Sequence, residues 1–290
     1  MRLRQLEYFV AIADLGSMRR AAETLFVAQP SLSNQIAALE REVGGALLHR
    51  QPRGVTLTPA GRVFLREARR TLAAAERAKR SASLALGGEQ GDVRFATVLS
   101  VAAGLVPPAL LTWRGRHPEA HAYLHEYRSS QELERSTLQG LHDFAVGPKP
   151  TAVFEVTEFV GTEEFVVVLP EGDPLLDAAT VDIATLGDRP WVRYDREHGL
   201  SSTLDEVFAA AGIAPEGAAS TRQTDVAVRL ATVGLGPALV PDNTVPPPFR
   251  RFARSMSTPL LRELYLYSPT PIPVLGRSLL TMLRRVCEKR

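Results

Sequence analysis

Ser31, Ser33, Asn34 and Gln35 are four short polar side chains within five positions. Each can donate and accept hydrogen bonds, which is the chemistry of reading rather than of bond breaking: such groups match base edges and phosphate oxygens. Leu32, Ile36 and Leu39 recur between them at helical spacing, so the polar set is the outer face of one helix. Gln29 and Pro30 open that helix, with proline near the start, where its missing N–H costs nothing. Covalent chemistry finds less support. His117, His121 and His125 are spaced by four, but Pro118 intervenes and the segment reads as a strand, in which positions four apart lie roughly 13 Å from one another. Gly234-x-Gly236 lacks a third glycine and follows a helix rather than a strand. Ser201 is outside any nucleophile elbow, and His198 beside it completes no triad. Cys287 is the one cysteine, which excludes an internal disulfide and leaves a poor metal site. The expectation is therefore no catalytic residue, no metal and no cofactor.

The elements that must hold the polar face can be read on either side. Leu6, Phe9, Val10 and Ala13 give a first amphipathic helix, from about Arg4 to Leu15, ended by Gly16. Ser17 caps a second helix, in which Ala21 and Ala22 allow close approach of the third. This is a helix-turn-helix. Gly44-Gly45 then breaks the pattern, and Leu47–Arg50 and Val55–Leu57 read as two short strands around a turn at Gln51–Gly54. That hairpin is a wing, with Arg50 and Arg53 placed for phosphate or minor-groove contact. Arg19 and Arg20 add basic groups beside the Ser17 cap.

Charge separates the chain. It carries 34 Lys and Arg against 32 Asp and Glu, a formal net charge of +2. Residues 1–80 hold 14 basic and 7 acidic groups, a net of +7, so the remainder holds 20 and 25, a net of −5. Basicity concentrated beside a helix-turn-helix is the footprint of a phosphate-binding surface. At 290 residues the chain suits about two domains. No stretch is long and apolar enough to span a membrane and the amino terminus has no signal-peptide core, so a cytoplasmic protein is expected.

Thr58-Pro59 opens a long helix running to Leu86 and stopped by Gly87-Gly88. Leu65, Ala68, Leu72 and Ala75 form a narrow seam on it, and a second copy of the chain is the natural partner. Beyond Gly91 the order changes to strand 92–98, helix 101–113, strand 120–127, helix 131–141 and strand 144–146. This βαβαβ order argues for a parallel sheet covered by helices. Further strands are expected at 165–169, 190–194, 238–240 and 261–267, with helices at 200–211, 225–232 and 278–288.

Residues 1–87 resemble the DNA-binding and linker segment of LysR-type transcriptional regulators. The likeness rests on Leu6-Glu7-Tyr8-Phe9, Gly16-Ser17, Ala21-Ala22, Gln29 to Ser33, Gln35-Ile36, Leu39-Glu40, Leu47, Arg50 and Leu57 to Gly61. The later half is similar, more weakly, at Phe165 to Pro170, Gly199-Leu200 and Gly234 to Pro241. The resemblance implies an α/β protein overall: a winged helix-turn-helix (1–58), a linker helix for dimerisation (59–88), and an effector-binding domain (89–290) like periplasmic binding proteins. Its two lobes are expected at 89–161 plus 268–290 and at 162–267. It also implies a dimer or tetramer on double-stranded promoter DNA, no membrane partner, and DNA contacts from Gln29, Pro30, Ser31, Ser33, Asn34, Gln35, Arg50 and Arg53. Five positions depart from the family pattern, among them Arg19, which stands where a threonine is common and adds a phosphate contact. Ala28 replaces a common serine and removes a cap or phosphate contact, Met18 and Leu48 replace phenylalanines, and Asn34 replaces an arginine frequent in the family. Asparagine suits adenine where arginine suits guanine, so the preferred operator differs.

In such a domain a ligand binds beyond the carboxyl ends of strands, at helix N-termini. Ser100 and Val101, Ser129 and Ser130, and Ser201 and Ser202 occupy three loops of that kind. Together they suit a small carboxylate or another polar metabolite as effector, with Arg128, Arg193 and Arg222 as candidate countercharges. The competing reading is a solute-binding protein or enzyme built on the two-lobed half. It would need a secretory signal or a catalytic cluster, and the sequence offers neither.

Overall fold

The computed structural model describes residues 1–51, 54–85 and 91–288. The chain divides into two units, with the boundary near residue 88.

The first unit begins with α1 (Leu3–Leu15), α2 (Met18–Thr24) and α3 (Gln29–Val43). Gly16 stops α1 in the left-handed region, φ 63°, returning its N–H to Ile12. Leu6, Phe9 and Ile12 of α1 pack with Ala21 and Ala22 of α2 and with Leu32, Ile36 and Leu39 of α3 in one buried cluster. The wing follows as β1 (Leu48–Gln51) and β2 (Gly54–Leu57), antiparallel, with Arg50 opposite Val55. Glu40 ties the reading helix to the wing: its Oε1 accepts from the backbone N–H of Leu47 at 2.8 Å and of Leu48 at 3.1 Å. Helix α4 (Pro59–Ala85) starts at Thr58, whose Oγ1 accepts from Gly61 N at 2.8 Å and donates to Ala46 O at 2.9 Å. Only glycine fits at 61, because a β-carbon there would overlap the carbonyl of Leu47.

The second unit is α/β. Strands β3 (Asp92–Val98), β4 (His121–Tyr127) and β5 (Phe144–Pro148) are parallel in the order β5-β3-β4. The helix expected across Pro107 and Pro108 is two helices, α5 (Leu99–Gly104) and α6 (Val106–Arg116). Two missing N–H groups stop a continuous ladder, and the prolines sit instead in the first turn of α6. Helix α7 (Ser130–Leu138) leads to β5.

Two strands are far longer than the sequence suggests. β6 (Val156–Val168) and β11 (Ala253–Ser268) pair antiparallel along their length and join both lobes in one sheet. Between them the chain builds the second lobe. It contains β7 (Thr180–Val181), β8 (Trp191–Tyr194), α8 (Gly199–Ala210), β9 (Gly217–Thr221), α9 (Thr224–Leu230) and β10 (Ala238–Pro241). Helix α10 (Val274–Glu288) returns to the first lobe. The return crossing lies earlier than residue 268. Leu264 to Tyr267 pair with β5 and are buried with Phe95 and Phe144, whereas Leu260 packs in the second lobe. The expected lobe boundary is corrected accordingly, because one strand serves both cores.

His142, in the loop before β5, is 2% exposed, and its Nε2 lies 2.9 Å from the Tyr127 hydroxyl. Burial, and secondarily repulsion from His125, push its pKa down to about 4. In the unfolded chain it titrates near 6.5, so between these values the unfolded state binds the additional proton. Stability of this unit is therefore expected to fall as pH drops from about 6.5 towards 4, by at most about 3 kcal/mol. Urea unfolding at pH 7 and pH 4.5 reads it. His142→Gln should flatten that part of the dependence, and an unchanged slope in the variant would assign it elsewhere.

Candidate nucleic-acid interface and inter-lobe site

Helix α3 separates its residues cleanly. Leu32, Ile36 and Leu39 are fully buried, while Gln29, Pro30, Ser31 and Asn34 are exposed and Ser33 and Gln35 half-buried. Its N-cap is Ala28, which offers no side-chain acceptor, so the first-turn amides of α3 meet no cap and carry the positive end of the helix dipole outward. A phosphate oxygen is the natural occupant of such an end. In α2 the Ser17 hydroxyl accepts from Arg20 N at 3.3 Å. Arg19 and Arg20 are exposed, and Arg19 lies 3.2 Å from Glu23 in a solvent-facing pair that constrains it little. The backbone of Arg50 lies in β1, and Arg53 lies outside the described residues, as do Leu86 to Gly88 at the expected end of the linker.

The proposed seam of α4 is partly used within its own unit. Ala68 is 2% exposed inside the first core, and Leu65 and Leu72 pack on the same cluster beside Phe64. Phe64 meets Phe9 edge-on, ring centroids 5.2 Å apart. Ala68 is thus corrected from a partner-facing to a core position, because α1 lies along this stretch of α4. Ala75 is half-buried.

In the second unit the lobes meet over a cavity of about 20 Å³, room for a water molecule. It is lined by Ser100, Arg128, Ser130, His198, Gly199 and Arg262, with Val98, Leu99 and Leu200. Of the expected effector residues, Ser100 and Ser130 are in this wall. Val101 is sealed in the first-lobe core, and Ser129 caps α7 by accepting from Glu132 N at 3.2 Å. Ser201 and Ser202 lie on α8 outside the lining, with Ser202 Oγ turned back to Gly199 O. They miss the cavity because they follow its edge by a residue, and their helical direction carries them past it. Arg128 faces Glu197 at 3.1 Å across the opening, and the first N–H of α8, from Gly199, donates to Arg128 O at 2.8 Å. Arg193 pairs with Asp205, and Arg222 with Asp195, so neither lines the cavity.

Two residues that sequence reasoning passed over dominate this site. Arg262, on β11 and 16% exposed at its side chain, pairs with the buried Glu163 of β6, and its guanidinium also donates to Ser100 Oγ at 2.9 Å. The second oxygen of Glu163 accepts from Asn243 Nδ2 at 2.7 Å. His198 is 5% exposed and stacks on Tyr194. Its Nδ1 accepts from Leu200 N at 3.1 Å, so the ring proton sits on Nε2, a buried donor with no hydrogen-bond partner among the described residues. Burial and the nearby Arg262 charge lower its pKa against a weaker opposing pull from Asp195, which keeps the ring neutral. No local signal marked Arg262 or Glu163: each lies beside another charged residue, Glu263 and Glu164, so both read as solvent-facing until the two strands are paired.

No helix among the described residues is long and apolar enough to cross a membrane. Residues 3–62 match the family described as bacterial regulatory helix-turn-helix protein, lysR family, and residues 86–287 match the LysR substrate binding domain. The chain is 34% identical over 206 residues to the HTH-type transcriptional regulator TfdT of Cupriavidus pinatubonensis, covering 71% of this chain and 82% of TfdT. It is 31% identical to ClcR of Pseudomonas putida, with 83% of each chain covered. CbnR, a LysR family regulator solved in complex with its target DNA, superimposes with a TM-score of 0.73 at 24% identity, covering 99% of this chain and 100% of CbnR. Full-length BenM gives 0.57 at 25% identity, over 100% of this chain and 97% of BenM. A helix-turn-helix with its polar face outward, followed by a two-lobed effector-binding domain, accords with these matches: the chain belongs to the LysR family of bacterial transcriptional regulators, which are DNA-binding proteins and not enzymes.

Proposed function

We propose that α3 is the reading helix, with Gln29, Ser31, Ser33, Asn34 and Gln35 at base edges and the uncapped first turn, Pro30 included, against a phosphate. Arg19, Arg20, Arg50 and Arg53 supply backbone contacts around it, and Ser17 sets the start of α2. The observation that carries this is the division of α3 into a sealed apolar face and an exposed polar one. Asn34→Ala is expected to relax discrimination at one base position by about 1–3 kcal/mol, with less change on unrelated duplex. Selection from a randomised duplex pool, repeated with the variant, reads it. An identical selected site would remove Asn34 from the contact set.

The effector site is the inter-lobe cavity. His198 Nε2–H, Ser100 and Ser130 are its recognition groups, and Arg262 is its charge. A polar metabolite with an acceptor group, such as a carboxylate, suits that set. Since the cavity has room for no more than a water molecule in this arrangement, effector entry parts the Gly199–Arg128 and Arg128–Glu197 contacts, which couples occupancy to lobe separation. Residues 1–58 then form the DNA-binding domain, 59–88 the linker and 89–290 the effector domain. The linker pairs with a second copy through the part of α4 around Ala75, where Leu65, Ala68 and Leu72 no longer set the surface. A duplex partner and a soluble metabolite place this activity in the cytoplasm.

A further inference from the structure

Phe26, in the turn between α2 and α3, has a backbone the turn requires and a side chain it does not: its left-handed φ lets Val27 N–H reach Ala22 O at 3.0 Å and close α2. It is the one non-glycine residue with positive φ among the described residues, at 55°. The residue is also 95% exposed. A bulky L residue in the left-handed region is strained. Glycine or asparagine would hold the same turn with less strain. A ring left in water gains nothing from burial either, so the fold supplies no reason for an aromatic group here.

The surroundings supply one. Phe26 stands three residues before Gln29, the first residue of α3, and beside the outward-facing, uncapped turn of that helix. The exposed guanidinium groups of Arg19 and Arg20 lie on the preceding helix. On the major-groove floor, otherwise lined by hydrogen-bond donors and acceptors, the thymine 5-methyl group is the most apolar feature a ring at this corner could meet. We propose that the Phe26 ring packs against the 5-methyl group of a thymine at the edge of the bound site, so that it selects a T·A pair by apolar contact. This rests on the reading of α3 as the groove-seated helix.

The test uses the full chain. Native protein first enriches a duplex from a randomised pool. That duplex is then remade with each thymine replaced in turn by uracil, which removes the methyl group and nothing else. Native protein is expected to lose about fourfold in affinity at one position, the value of one buried methyl-sized group. Phe26→Gly and Phe26→Asn should bind the parent duplex about fourfold more weakly and be indifferent to uracil at that position, with thermal midpoints at or above the native value. Variants that bind as tightly as the native chain, or a uracil scan that is flat or affects native and variants alike, would overturn the proposal. So would a lowered thermal midpoint, which would give the ring a folding role. If no duplex is enriched at all, the reading of α3 fails and this contact with it. An enriched duplex that ignores the ring overturns the contact alone.

Discussion

Arg262→Met is expected to destabilise the effector-binding unit by about 3–5 kcal/mol, the usual effect of removing one partner from a buried ion pair. The reason is what remains. Glu163 is 4% exposed at its side chain, and without Arg262 its carboxylate keeps, among the described residues, the Asn243 amide as its side-chain donor. Ser100 Oγ loses a donor as well, and the face of Phe165 loses the guanidinium 5.1 Å above it. The double variant Arg262→Met, Glu163→Leu removes both charges and should recover most of the loss, since an apolar replacement of an ion pair is often neutral. Tryptophan fluorescence during urea unfolding reports this unit alone, because both tryptophans, Trp113 and Trp191, lie buried within it. A single variant within 1 kcal/mol of native would show that solvent already screens the pair. The same variants carry a functional reading. If Arg262 is the charge of the effector site, both lose effector-dependent stabilisation, whereas only the single variant loses intrinsic stability.

The N-terminal unit was legible because its signals are local. Gly16, Ser17, Pro30 and Thr58-Pro59 each fix a helix end by their own backbone chemistry, and the apolar period of Leu32, Ile36 and Leu39 lies within one helix. In the effector unit the clearest strands were those buried on both faces, as at Phe144 to Val146 and Phe165 to Val168. The outer half of β6 escaped because Glu158, Glu163 and Glu164 interrupt its apolar alternation, and the first half of β11, ahead of the expected strand 261–267, because Arg254, Ser255, Ser257, Thr258 and Pro259 leave it no apolar face. Those charges are compatible with strands only because the two strands pair with each other, 99 residues apart at Glu163 and Arg262. No local window contains that information. The same cause hid the cavity residues: a serine near a helix start is visible in sequence, but a guanidinium neutralised across the sheet is not. β9 escaped for a different reason, since its Gly217–Thr221 run consists of small residues with no apolar face of its own.

Ile36→Ala should be as costly as the Arg262 change, in the other unit and with a different functional consequence. Ile36 is fully buried between α1 and α2, and deleting its branched end leaves a cavity that neighbours fill only in part, at about 2–5 kcal/mol. A core this small contributes only a few kcal/mol in total, so the loss is a large fraction of what holds the unit together. Its midpoint should fall by about 10 °C or more, seen as an early loss of helical circular dichroism, while the tryptophan transition stays in place because neither tryptophan belongs to this unit. DNA affinity should fall for every sequence tested, since a loosened α3 presents its whole polar face less often. That is the opposite pattern to Asn34→Ala, which leaves the midpoint unchanged and alters preference at one base. Enough duplex should raise the Ile36→Ala midpoint again, because binding favours the folded unit by mass action. Were Ile36→Ala instead to shift base preference at native stability, the two faces of α3 would not be separable, and the division between packing and reading on which its role rests would not hold.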